Sequence, residues 1–232
     1  MLFDCDGVLV DSETITNGVL RGMLHELGWR ISAEECVDRF IGRALSDEFD
    51  VIEEHTGFRP DQAWLLEFRA RRNAALAVDL QPIDGAVAAV TAVAEAFEGR
   101  VACASGADRA KIDLQLTKVG LADAFGEHVY SGMETARSKP APDVYLAAAA
   151  GLGVDPGDCA VVEDTVAGVT AGVAAGATVF AFASGGLAST SPEALIAAGA
   201  SEVFTSMAEL PALLAGEWSG PDIAPASTPS TA

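Results

Sequence analysis

The stretch Leu2-Phe3-Asp4-Cys5-Asp6-Gly7 constrains this chain more than any other. An apolar run leads into Asp4, and side chains alternate along a strand, so Asp4 and Asp6 leave its end on the same side. Gly7 then lets the backbone turn. Carboxylates held this close repel and shift each other's pKa unless a cation or a shared proton relieves them. A hard divalent cation with oxygen ligands is the natural occupant. The competing reading is a solvated Asp-x-Asp turn, because carboxylates are common in turns.

Three later stretches weigh against that plain reading. Val101-Ala102-Cys103-Ala104-Ser105-Gly106 ends an apolar run on a hydroxyl. Ser138-Lys139-Pro140-Ala141-Pro142-Asp143 sets a lysine in a stiff, non-helical turn ahead of a helix. Ala160-Val161-Val162-Glu163-Asp164-Thr165 ends another apolar run on two acids.

The pattern around these stretches predicts how they meet. From Ala86 onward helices and strands alternate: helix 86–98, strand 100–104, helix 107–119, strand 127–130, helix 142–150, strand 158–162, helix 165–175 and strand 178–182. A strand at 201–204 and a helix at 207–215 follow. Apolar strands spaced by helices imply a parallel sheet covered on both faces. Such a sheet binds ligands beyond the carboxyl ends of its strands, where all four stretches fall. Between Thr14 and Gln81 no strand pattern interrupts a helical text: Asn17 to Leu27, a capping box at Ser32-x-x-Glu35, Asp47 to His55, and Asp61 to Ala77. Residues 15–82 therefore form an all-helical insertion. Gly168, Gly172 and Gly176 recur on one helix face and predict close packing against the sheet. The Pro-, Ser- and Ala-rich segment 217–232 is expected to be a disordered tail.

Composition bounds the function. A net charge of −20 argues against nucleic-acid and anionic-membrane partners, both of which select a basic surface. No window reaches the roughly 18 uninterrupted apolar residues of a membrane helix. Cys5, Cys36, Cys103 and Cys159 lack metal-type spacing and are expected to be free thiols in a reducing, cytoplasmic setting.

Acid pair, hydroxyl, lysine and acid pair, in that order and each at a strand end, resemble the haloacid dehalogenase superfamily. More narrowly, they resemble the branch containing β-phosphoglucomutase and sugar-phosphate phosphatases. The resemblance implies an α/β fold, a Rossmann-like parallel sheet core built from 1–14 and 83–216, with 15–82 as a cap domain. Phosphoryl transfer needs positioning and charge neutralisation above all. Asp4 is the expected nucleophile, and Asp6 the acid that protonates the leaving group and later deprotonates water. Mg²⁺ would bridge Asp4 and a phosphate oxygen. By resemblance its other ligands are the Asp6 carbonyl, Asp164 and Glu163, the last directly or through water. Ser105 and the Gly106 N–H would hold phosphate oxygens, with a simple N-cap as the rival role of Ser105. Lys139 would offset both Asp4 and the phosphoryl group. It and Arg137 are the only basic residues after Lys118.

Arg43 and Arg72 lie where this family touches substrate from the cap, whereas Arg21, Arg30 and Arg59 read as ordinary surface arginines. His25, His55 and His128 lack partners at metal or triad spacing. The resemblance thus implies a small anionic phosphorylated substrate, and leaves open a sugar phosphomutase using the same aspartyl-phosphate, or an idle binding protein. Founding dehalogenases lack the second aspartate, so Asp6 counts against their activity. Thr16 stands where a mutase carries the histidine that couples substrate binding to closure, which favours hydrolysis. Oligomeric state is not readable.

Overall fold

In the computed structural model, residues 1–40, 45–185 and 189–217 are described. Strand β1 (Leu2–Phe3) is followed by four helices, α1 (Glu13–Glu26), α2 (Ala33–Phe40), α3 (Phe49–Thr56) and α4 (Gln62–Asp79). Then come α5 (Ala86–Ala96), β2 (Ala102–Ser105), α6 (Arg109–Lys118), α7 (Ala122–Phe125), β3 (Val129–Ser131), α8 (Asp143–Leu152), β4 (Ala160–Glu163), α9 (Val166–Ala174) and β5 (Thr178–Phe182). The described chain closes with α10 (Pro192–Ala197), β6 (Glu202–Phe204) and α11 (Leu210–Glu217).

The six strands form one parallel sheet in the order β3-β2-β1-β4-β5-β6. The chain starts in the middle and winds outward both ways, so the carboxyl end of β1 is flanked by those of β2 and β4. Alternation sends Phe3, Cys103, Val162 and Phe180 to one face, against α5, α6, α7 and α11. It sends Leu2, Ala102, Val161 and Val179 to the other, against α8, α9 and α10. The short β1 survives because it is central and both its residues are buried.

The helical insertion has a hydrophobic cluster of its own, including Leu20, Leu24, Cys36, Ile52, Leu65 and Phe68. Its capping box forms as expected: Ser32 Oγ accepts from Glu35 N, and Glu35 Oε2 accepts from Ser32 N. The two connections to the core run side by side, with Asp11 N donating to Gln81 O and Ile83 N to Leu9 O.

Several expectations need correction. Helix α1 begins at Glu13 rather than Asn17; in its first turn Glu13, Thr14 and Thr16 leave Ile15 alone to mark an apolar face. Helices α7 and α10 were not foreseen; Ser191 capping α10 with Pro192 at its first turn is a legible start signal. The N-cap of α6 is Asp108, not Ser105. Gly176 lies past the end of α9 with φ +90°, so it turns the chain rather than packing on the sheet. Gly172 does pack there: an added Cβ would lie 2.8 Å from Val179 Cγ2. Arg43 and the segment expected to be a tail, apart from Glu217 at the end of α11, lie outside the described residues.

Gly172→Val is therefore expected to lower stability by about 1–3 kcal/mol through overpacking. Gly18→Ala, on an open face of α1 with nothing within 4 Å, should raise it by up to about 1 kcal/mol. Urea unfolding of both variants checks this, and an unperturbed Gly172→Val protein would contradict the close approach of α9 to the sheet.

Candidate active site

Asp4 continues β1, its N–H donating to Val162 O at 3.0 Å. Phe3 pairs with Cys103 on one side and Val162 on the other. Continuing that register sets Asp4 level with Glu163 and brings Ser105 in one strand away. The next turn depends on Gly7, whose φ is +77° and whose missing Cβ would otherwise stand 2.0 Å from Asp164 Oδ2. Glycine thus serves both the turn and the approach of Asp164.

The acids and the lysine singled out from sequence converge. Lys139 Nζ lies 2.5 Å from Asp4 Oδ1 and 2.6 Å from Glu163 Oε1. Asp4, Glu163 and Asp164 each present a carboxylate oxygen, all within 4.8 Å of one another. Burial, opposed by Lys139 and reinforced by Glu163 and Asp6, pushes Asp4 up to about 7. Burial together with Glu163, Asp4 and Glu13 drives Asp164 well above the ordinary carboxylate range.

Glu163 and Asp164 are not equivalent. Glu163 Oε1 accepts from Lys139 and from Tyr145 Oη; Oε2 accepts from the Asp164 and Thr165 amides and from Thr165 Oγ1. Its carboxyl group occupies the space a Cβ at residue 168 would need, at 1.8 Å, so Gly168 makes room for an acid rather than for the sheet. Burial would raise its pKa, but Lys139 and these donors outweigh it and hold the group below the usual value. Asp164 Oδ1, in contrast, is buried with no hydrogen-bond partner among the described residues. An orphaned buried carboxylate oxygen beside Asp4 suits a hard divalent cation. The residues present therefore fit Mg²⁺, with Asp4 and Asp164 better placed to hold it than the saturated Glu163.

Asp6 belongs to a second knot that sequence reasoning missed. Its Oδ1 accepts from Lys111 Nζ at 2.7 Å, from Gln115 Nε2 at 2.7 Å and from Ser12 Oγ. Burial raises its pKa, but Lys111 and these bonds prevail and lower it. Lys111 and Gln115 are buried on α6. Their i, i+4 spacing was the available signal, yet nothing local shows that Asp6 faces them. Tyr145 was likewise missed: Lys139 Nζ sits 4.8 Å from its ring centroid.

Ser105 is buried at the end of β2, and its Oγ accepts from Ala107 N at 3.2 Å. Gly106 beside it is exposed. Arg72 is not presented to open space: it is buried and paired with Asp108 Oδ2 at 2.8 Å, a contact that joins α4 to α6. Among the described residues, the rings of His25, His55 and His128 hydrogen-bond Ile31 O, Val51 O and Tyr130 Oη, and His55 also stacks on Trp29.

Lys139→Met should destabilise the chelator-treated protein by about 3–5 kcal/mol, because it strands buried carboxylates. Adding Glu163→Gln should recover part of that loss, with a coupling of about 1 kcal/mol or more. Denaturant titrations of the two single variants and the double variant read this directly; strict additivity would contradict the direct pairing.

Comparison with known proteins shows the family. The sequence model of the haloacid dehalogenase-like hydrolases matches residues 1–176. The chain is 31% identical over 183 residues to 6-phosphogluconate phosphatase of Escherichia coli K12, covering 78% of this chain and 81% of that one. A conserved haloacid dehalogenase-like protein from Agrobacterium tumefaciens superposes with TM-score 0.78 at 35% identity, covering 92% of this chain and 96% of that one. A HAD family hydrolase from Deinococcus radiodurans, solved with bound phosphate and sodium, gives TM-score 0.74 at 36% identity, covering 92% and 93%. The chain belongs to the haloacid dehalogenase-like hydrolases, alongside sugar-phosphate phosphatases, and is a phosphoric monoester hydrolase.

Proposed function

We propose that this enzyme is a Mg²⁺-dependent phosphatase that hydrolyses a small, sugar-like phosphate monoester through an aspartyl-phosphate on Asp4. One observation carries the reading: at the central strand end, Asp4 is bonded to Lys139 and clustered with Asp164, while Asp6 is held two residues on. An Asp4 oxygen attacks phosphorus as the P–O ester bond breaks; Asp6, held ionised by Lys111 in the free protein, takes up the proton of the phosphate monoester monoanion and passes it to the departing oxygen. Water then attacks phosphorus, Asp6 takes its proton, and the Asp4–phosphorus bond breaks to release inorganic phosphate. Lys139, held by Glu163 and Tyr145, offsets negative charge on Asp4 and the phosphoryl group. Ser105 and the Gly106 N–H hold phosphoryl oxygens. Asp4, the Asp6 carbonyl and Asp164 would hold Mg²⁺, which when bound would supply charge stabilisation for the phosphate oxygens.

Residues 15–82 act as the cap in this reading, and residues 1–14 with 83–216 as the core. The separate hydrophobic cluster of the insertion and its paired connections support that division. Arg43 and Arg72 remain cap contributions, Arg72 through its hold on Asp108. Four free, buried cysteines support a cytoplasmic setting, and no described helix is long and apolar enough to cross a membrane. Mutase action is the rival. Thr16 stands in place of a gating histidine, its Oγ1 buried and without a hydrogen-bond partner among the described residues, which leaves no titratable group there to couple closure to substrate.

Sugar monophosphates should therefore yield inorganic phosphate without a bisphosphate activator, and chelator should stop the reaction. Asp4→Asn should lower kcat by about a thousandfold or more with the fold intact. Bisphosphate-dependent isomerisation with little phosphate release would overturn the phosphatase assignment, and substantial residual rate in Asp4→Asn would overturn the covalent route.

A further inference from the structure

The contact between α4 and α6 holds positive charge that the phosphoryl chemistry leaves unused. Two guanidinium groups of α4, on Arg69 and Arg72, converge on Asp108, which also caps α6 by accepting from Lys111 N. Arg72 is saturated. Its Nη2 bonds Asp108 Oδ2, its Nε and Nη2 both bond Asn73 Oδ1, its plane lies over Phe68, and its side chain is 7% exposed. Arg69 is not. Its Nε stands 3.9 Å from the same Asp108 oxygen, beyond hydrogen-bond distance, and among the described residues its Nη2 meets only the weak acceptor Met133 Sδ at 3.9 Å. Its side chain is 27% exposed. Glu134, the neighbouring acid, is taken by Arg109 at 2.6 Å.

The location gives this cation its meaning. Asp108 lies three residues beyond Ser105, in the loop leaving β2. Met133 follows Gly132, which packs on Ser105 O and Gly106 Cα, each 3.4 Å from where its Cβ would be. Arg69 therefore stands over the carboxyl ends of β2 and β3, beside the loop that holds the phosphoryl oxygens. In a chain of net charge −20, an under-paired guanidinium at that place calls for an anion. A carboxylate or phosphate matches its planar fork. Since Arg72 alone satisfies Asp108, Arg69 can turn to such a group without stranding a buried charge.

We infer that Arg69 is a specificity residue that recognises a second anionic group of the substrate, remote from the scissile phosphoryl, while Arg72 fastens α4 to α6. The inference rests on the phosphatase reading and narrows its substrate class to phosphate esters carrying a further carboxylate or phosphate.

A matched pair of probes tests it: 6-phosphogluconate and glucitol 6-phosphate, which differ only by a carboxylate against a CH₂OH at the far carbon. Preference is read as the ratio of kcat/KM values or, for a compound not turned over, of inhibition constants against p-nitrophenyl phosphate. The wild type should favour the acid by about tenfold or more. Arg69→Gln should erase most of that preference, chiefly through KM, and Arg69→Lys should restore part of it. Arg72→Gln should lower the melting temperature and weaken both probes alike. A wild-type ratio near one, or a ratio unchanged by Arg69→Gln, overturns the inference. Phosphate release from p-nitrophenyl phosphate separates the two levels: if it fails, the phosphatase reading falls and the inference with it, whereas if it holds and the ratio does not move, the inference alone falls.

Discussion

The salt bridge from Lys139 to both Asp4 and Glu163 is the contact on which the rest of this structure depends. The sheet order places the carboxyl ends of β1 and β4 side by side, and each ends on acids. Among the described residues, Asp4, Asp6, Glu163 and Asp164 share this region with two buried ammonium groups, on Lys139 and Lys111. Removing a charge from water costs several kcal/mol, so such a cluster persists only where pairing is close and the remaining donors and acceptors are met. Tyr145, Thr165 and two backbone amides meet that need for Glu163. Among the described residues Asp164 is the member left short, and burial beside Glu163 and Asp4 raises its pKa. Chemistry is placed where the fold leaves charge unbalanced.

The second knot ties the catalytic loop to its surroundings. Asp6 is bonded to Ser12 at the entry to the helical insertion and to Lys111 and Gln115 on α6. Arg72 joins α4 to the start of that same helix through Asp108. Helix α6 therefore carries, within two turns, a group that holds Asp6 and a group that holds the insertion. Movement of the insertion relative to the core would be felt at both.

Much of this was legible in the chain because its signals are local. An apolar run ending on Asp, Ser or Glu-Asp marks a strand end, and the alternation of strands with helices implies the parallel sheet that gathers those ends. The capping box at Ser32–Glu35 is local in the same way. What escaped depends on which surfaces meet. Lys111 and Gln115 look like ordinary helix residues until α6 is laid beside Asp6. Gly168 looks like a helix-packing glycine until Glu163 is seen to occupy its space. Helical periodicity puts Arg69 and Arg72 one turn apart on α4, but only the position of Asp108 makes one a fastener and leaves the other under-paired. Glu163 and Asp164 are adjacent in sequence, and only tertiary contacts separate a lysine holder from an open oxygen donor.

The central claim is that this acid cluster is completed by a divalent cation on Asp4 and Asp164. Thermal unfolding in Mg²⁺, against the same protein in chelator, tests it most directly and needs no substrate. A cation bound only to the folded state at about a hundredfold over its dissociation constant adds about 2.7 kcal/mol. For a chain of this size that corresponds to a rise of about 5 °C or more in Tm. The account predicts a saturable rise of that order, lost in Asp164→Asn. Identical melting in Mg²⁺ and chelator, or a rise that survives Asp164→Asn undiminished, would contradict it.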